Sequence, residues 1–210
     1  MASKTPKKVI SILNMKHGMG VSKIAYSLAP ILGLTLYGHD KSNHNYFIEQ
    51  RNYSNEDGSK TYVPNIQRAI NVQYINKRKV VDGIYDLGSD LNYAYMHKII
   101  QKSSTVIIPI ELGFENALFT IASIELTRKF SPNAHIILVF NKLNWLEPTR
   151  EQKYIESLKL FIISKVNKDG DDLDTFRDKN ITITYMRFSF SFIKDENFGK
   201  YFLEHYETTA

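Results

Sequence analysis

The residues with the clearest chemical potential lie in one short stretch, Asn14-Met15-Lys16-His17-Gly18-Met19-Gly20-Val21-Ser22-Lys23. An apolar run, Val9 to Leu13, precedes it, and a helix-like stretch ending at Leu32 follows. A strand, a glycine-bearing turn and a helix form the setting in which backbone N–H groups converge on an anion. A lysine in such a turn adds a point charge, and a hydroxyl at the start of the helix can hold Mg²⁺. Gly18, Gly20, Ser22 and Lys16 supply these parts, but Val21 stands directly before the hydroxyl, where a phosphate loop carries its lysine. A dinucleotide fingerprint competes: it needs a third glycine where Lys23 stands and an acid about 20 residues on, near Asp40. Each reading lacks one residue, and the turn alone leaves both open.

Positioning these side chains requires alternating strands and helices. Val9–Leu13 reads as a buried strand and Ser22–Leu32 as a helix, with Pro30 predicting a kink or early end. A short strand, Leu34–Tyr37, ends at Gly38-His39-Asp40, and the polar stretch Lys41–Lys60 reads as a long surface loop. Apolar residues at helical spacing predict a helix over Ile66–Ile75. Val80–Tyr85 reads as a strand ending at Asp86, followed by a helix over Leu91–Gln101 and a strand over Thr105–Ile110. Beyond it come a strongly amphipathic helix (Glu115–Lys129), a buried strand (Ala134–Phe140) ending at Asn141, and a helix (Thr149–Val166). A strand over Ile181–Tyr185 and a closing helix over Asp195–Tyr206 complete the chain. Near-continuous apolar strands separated by helices predict an α/β fold, a mostly parallel twisted sheet with helices on both faces. The 210 residues are expected to form a single domain spanning 1–210.

Composition narrows the chemistry. Without cysteine the chain has neither disulfides nor thiolate metal ligands. Its apolar runs are too short to span a bilayer, and the N-terminus lacks the apolar core of a signal peptide, so a cytoplasmic protein is expected. A net charge of +5 is compatible with nucleic-acid contact without demanding it.

The order of segments resembles the ParA/MinD partition and positioning ATPases, with their deviant Walker A loop K-G-G-x-G-K-T/S. Lys16 falls on the signature lysine, Gly18 and Gly20 on two glycines and Ser22 on the hydroxyl, while His17 replaces a glycine and Val21 the Walker lysine. Tyr37-Gly38-His39-Asp40 resembles the D-x-D segment, Ile84-Tyr85-Asp86-Leu87 the Walker B segment, and Val106-Ile107-Ile108-Pro109 the following strand. Phe140-Asn141-Lys142 lies where the family places an adenine-contacting Asn, and Arg187 with Asp195–Lys200 resembles the closing segment.

The resemblance implies ATP and Mg²⁺ as cofactors. Gly18, Met19, Gly20, Val21, Ser22 and Lys23 would wrap the phosphates, and Asn141 would meet adenine. Ser22 and Asp86 would hold the metal, while Lys16 would reach the partner protomer's phosphates and Asp40 would act in hydrolysis. It further implies a homodimer, a ParB-like partner and non-specific DNA contact, for which Arg128, Lys129, Arg177, Lys194 and Lys200 are available. The acidic tail, Glu204 to Glu207, disfavours membrane targeting. Loss of the Walker lysine removes a charge contact worth about 3 kcal/mol in such transition states, so hydrolysis is expected to be slow or absent. The alternative is a non-catalytic pseudo-ATPase scaffold that binds a partner protein or DNA.

Overall fold

The structure is a computed structural model that describes residues 8–38, 72–143, 148–167 and 175–187. Seven strands form one sheet: β1 (Val9–Leu13), β2 (Leu36–Gly38), β3 (Val72–Tyr74), β4 (Gly83–Gly88), β5 (Thr105–Ile110), β6 (His135–Leu143) and β7 (Ile181–Arg187). Their order is β3-β2-β4-β1-β5-β6-β7, and every pairing is parallel. Four described helices connect them: α1 (Val21–Leu32), α2 (Ala94–Lys102), α3 (Phe114–Phe130) and α4 (Pro148–Val166).

Strand alternation sorts the apolar residues into two cores. Ile12, Leu36, Ile84, Ile107 and Val139 pack against α1 on one face. Val9, Leu13, Tyr85, Val106, Ile108 and Phe140 pack with residues of α2, α3 and α4 on the other. Parallel crossovers are right-handed, so a chain that turns from one side of β1 to the other must also change faces. The chain runs from β1 to β2 on one side and later from β4 to β5 on the other. β1 therefore marks the switch point, and the crevice beyond the carboxyl ends of the strands opens there.

Several local expectations are corrected. α1 continues past Pro30 to Leu32 and stops at Gly33, whose φ of +63° lets the Leu34 N–H reach the Ala29 carbonyl at 3.0 Å. Val72–Tyr74, expected to be helical, is a strand because β2 offers it a free edge. β4 does not stop at Asp86 but runs to Gly88, since β1 pairs with it as far as Leu13 beside Gly88. α3 is not strongly amphipathic. Its buried side includes Thr120, Ser123 and Thr127, whose hydroxyls donate to the carbonyls of Asn116, Phe119 and Ser123 one turn back. Lys41–Lys60 and Asp195–Tyr206 lie outside the described residues.

Candidate phosphate-loop site

The turn leaving β1 is fastened along its length. The Asn14 side chain is buried; its amide donates to the Pro109 carbonyl at 2.7 Å and to Thr120 Oγ1 at 3.4 Å. Its carbonyl oxygen accepts the Lys16 N–H at 2.8 Å, an Asx turn that bends the chain away from the strand axis. The Met15 N–H donates to Ser123 Oγ at 3.0 Å, which anchors this first half of the turn to α3. The second half is anchored on the opposite face. Asn141 Nδ2 on β6, two residues past Val139 of the α1 core, donates to the Met19 carbonyl at 2.9 Å. Between the two anchors, His17 Nδ1 and Ser89 Oγ, which follows β4, are 2.6 Å apart.

Gly18 and Gly20 have φ of +82° and +86°, backbone that a side chain would strain. Gly20 has a second reason to be glycine, because a Cβ there would lie 2.2 Å from Asn141 Nδ2. The Gly20 carbonyl accepts the Ile24 N–H at 3.0 Å, so α1 begins directly from the turn. The N–H groups of Val21, Ser22 and Lys23 precede that bond and, as in any α-helix, point out of the N-terminus, where the partial positive charge favours an anion.

The charged groups divide around this turn. Lys16 Nζ sits 2.8 Å from Glu115 Oε2 at the start of α3 and 5.6 Å from the centroid of the Phe119 ring. Asp86 is 7% exposed; it follows the alternation of Ile84 and so faces the α1 side, and its Oδ1 accepts the Gly88 N–H at 3.2 Å. Ser22 and Lys23 are half-buried in the first turn of α1. Val21 is 7% exposed and packs into the α1 core. The Ser22 hydroxyl and the Asp86 carboxylate are hard oxygen donors of the kind Mg²⁺ takes beside phosphate and water. Among the described residues no group of three or more acidic or histidine side chains could hold a metal by itself.

The structure thus brings Lys16, Gly18, Met19, Gly20, Val21, Ser22, Lys23, Asp86 and Asn141 to one end of the sheet, at β1, β4 and β6. Asp40 lies outside the described residues. Asn141, assigned to adenine by resemblance, is 1% exposed and engaged under Met19. Glu115, Ser89, Thr120 and Ser123 were not foreseen as partners of the turn. Nothing local in the sequence marks them, since each lies more than 70 residues from the residue it holds.

No protein-family model matches the sequence, and no curated protein matches it. Solved structures do match. A plasmid partition protein from Borrelia burgdorferi superposes with a TM-score of 0.52 at 16% identity, covering 96% of this chain and 100% of that one. The MinD cell division protein of Aquifex aeolicus gives 0.53 at 14% identity, covering 91% and 86%. The fold is that of the ParA/MinD P-loop ATPases. A further B. burgdorferi B31 structure described as a plasmid partition protein, bound to AMPPNP, gives 0.53 at 17% identity and covers 96% and 100%. The turn after β1 lies at the switch point of the sheet. Among the described residues no helix is long and apolar enough to cross a membrane.

Proposed function

We propose that this chain binds ATP with Mg²⁺ at Gly18–Lys23, dimerises on the bound nucleotide and acts in the partition of DNA, with hydrolysis slow or absent. The observation that carries this reading is the turn itself: two left-handed glycines delivering the chain into the N-terminus of a 12-residue helix, with Lys16 beside it. In this reading backbone N–H groups hold the phosphates, Ser22 and Asp86 hold Mg²⁺, and Lys16 crosses to the partner protomer's phosphates. Asp40 orders the attacking water. Asn141 meets adenine once the turn shifts off its amide. A ParB-like protein, non-specific DNA and a cytoplasmic setting complete the proposal. Arg128 is a poor candidate for the DNA surface, because its guanidinium already serves the Pro132 and Ala134 carbonyls and Asp178.

A second reading, a pseudo-ATPase scaffold, is favoured by two observations. Val21 is committed to the apolar core, and Lys16 is already paired with Glu115. Titration calorimetry with ATP or AMPPNP and Mg²⁺, paired with size-exclusion chromatography, separates the two. The nucleotide reading expects heat at sub-millimolar ligand and a shift to dimer; no heat and no shift at millimolar nucleotide leaves the scaffold.

A further inference from the structure

The crossover from β3 to β4 and the start of α2 carry a cluster that the phosphate-loop chemistry does not use. Asn76 Oδ1 accepts the N–H groups of Arg78 at 2.9 Å and Lys79 at 3.2 Å, which folds residues 76–79 into a fixed turn. Lys77, Arg78 and Lys79 are all exposed on it. Lys77 Nζ lies 5.3 Å from the centroid of the Tyr95 ring, and Tyr95 is stacked on Tyr93 at 5.5 Å with 24° between the rings. Tyr93 is 50% exposed, and Lys98 is exposed one helical turn beyond Tyr95. Exposed Asp82 and Asp90 border the cluster, and Asp90 also accepts from Asn92. Burial first, then Tyr93 and Asp90, raise the pKa of the Tyr95 hydroxyl, so that ring stays neutral at physiological pH.

A basic turn alone would be a solvated face. Here the cations border an ordered aromatic stack whose outer ring is open to solvent. Cations spaced along a turn suit consecutive phosphates, and a half-exposed tyrosine face suits an unstacked base. A duplex hides its base faces and could use only the charges. A lipid surface calls for aliphatic side chains among the cations, and the exposed large apolar residue within this turn and the start of α2 is Tyr93 itself.

We propose that the Lys77–Lys79 turn and the first turns of α2 bind single-stranded nucleic acid, with Lys77, Arg78, Lys79 and Lys98 on phosphates and Tyr93 stacking on a base. This goes beyond the nucleotide reading and shares no residue with it.

Fluorescence anisotropy of the full chain without ATP tests it, using a labelled oligothymidylate of about 20 nucleotides, long enough for one small domain. A duplex of equal length and phosphatidylglycerol vesicles serve as the other two probes. The single strand should bind more tightly than the duplex. Tyr93→Ala should weaken binding about tenfold, and Tyr93→Trp should retain it. Replacing Lys77, Arg78 and Lys79 together by Ala should lower the slope of log affinity against log salt by about 2. Tyr93→Ala binding like the parent, equal affinity for duplex, or binding to vesicles but not to the oligonucleotide would each overturn the proposal. Ser22→Ala, which lies in the nucleotide loop, should leave oligonucleotide affinity unchanged, so failure here and failure of the nucleotide reading are distinguishable.

Discussion

The amide of Asn141 fills the space beside Gly20 that a side chain there would need: Nδ2 is 2.9 Å from the Met19 carbonyl and would be 2.2 Å from a Gly20 Cβ. Gly18, with nearly the same φ, meets nothing within 4 Å. Gly18→Ala should therefore cost only backbone strain, about 1–2 kcal/mol. Gly20→Ala should cost that and a further overpacking penalty of about 1–3 kcal/mol. Adding Asn141→Ala to Gly20→Ala should recover part of the second component. Urea midpoints of the three variants check this, and equal midpoints for the two single alanine variants would refute the coupling.

Glu115→Gln should raise affinity for ATP by a few fold. The Lys16–Glu115 pair is exposed on the Glu side, at 72%, so its worth is held to about 1 kcal/mol or less by solvent. Neutralising Glu115 leaves Lys16 free to turn toward an anion at the helix N-terminus. Calorimetry on both proteins at low salt reads the change; weaker binding by the Gln variant would mean that Glu115 helps to hold the ligand.

Val21→Lys would place an ammonium where the α1 core now holds a methyl pair. The apo variant should lose about 2 kcal/mol or more, the cost of burying or displacing a charged group at a packed position. ATP with Mg²⁺ should return much of that loss, giving a larger thermal shift than in the parent. Phosphate release should rise by about a hundredfold if the remaining site is intact. A variant that is destabilised, unresponsive to nucleotide and inactive would favour the scaffold.

Tyr85→Phe probes the core beneath the site. The Tyr85 hydroxyl donates to the Val81 carbonyl and accepts the Val81 N–H, both at 3.0 Å. Its loss should cost about 1–3 kcal/mol at neutral pH by leaving those groups unsatisfied. Burial is the main cause that raises the Tyr85 pKa; Tyr37 and Asp82 add to it, and the Val81 bond opposes it. The unfolded chain therefore ionises first, near pH 10, and binds fewer protons than the folded one above that point. This contribution is fully present below pH 10 and is lost as the pH rises through the folded value. Denaturation curves across that range should fall less steeply for the Phe variant.

Much of this architecture could be read from local residue patterns. Thr105–Ile110 is mostly apolar and β-branched, and it forms β5 as expected. The glycines of the turn announced a backbone reversal before a helix, and one is there. What could not be read depends on contacts distant in the chain. Asp86 lies inside β4 because Ile12 and Gly38 flank it, and neither neighbour is visible from the residues around position 86. Val72–Tyr74 carries a helical spacing that the open edge of β2 overrides. The polar side of α3 is buried because each hydroxyl can satisfy itself within its own helix, which a pattern of apolar residues does not encode. The partners of the turn were illegible for the same reason, Glu115 and Ser123 being brought to it by the β5–α3 connection.

Met15 is tied to α3 on one face of the sheet and Met19 to β6 through the other, with His17 joined between them to the segment after β4. A turn moored at three points resists swinging like a lid, and a ligand that draws it off one mooring loads the other two. Whatever occupies it would thus be felt mechanically at α3 and at β6 together, and amide exchange at both should slow or quicken in step.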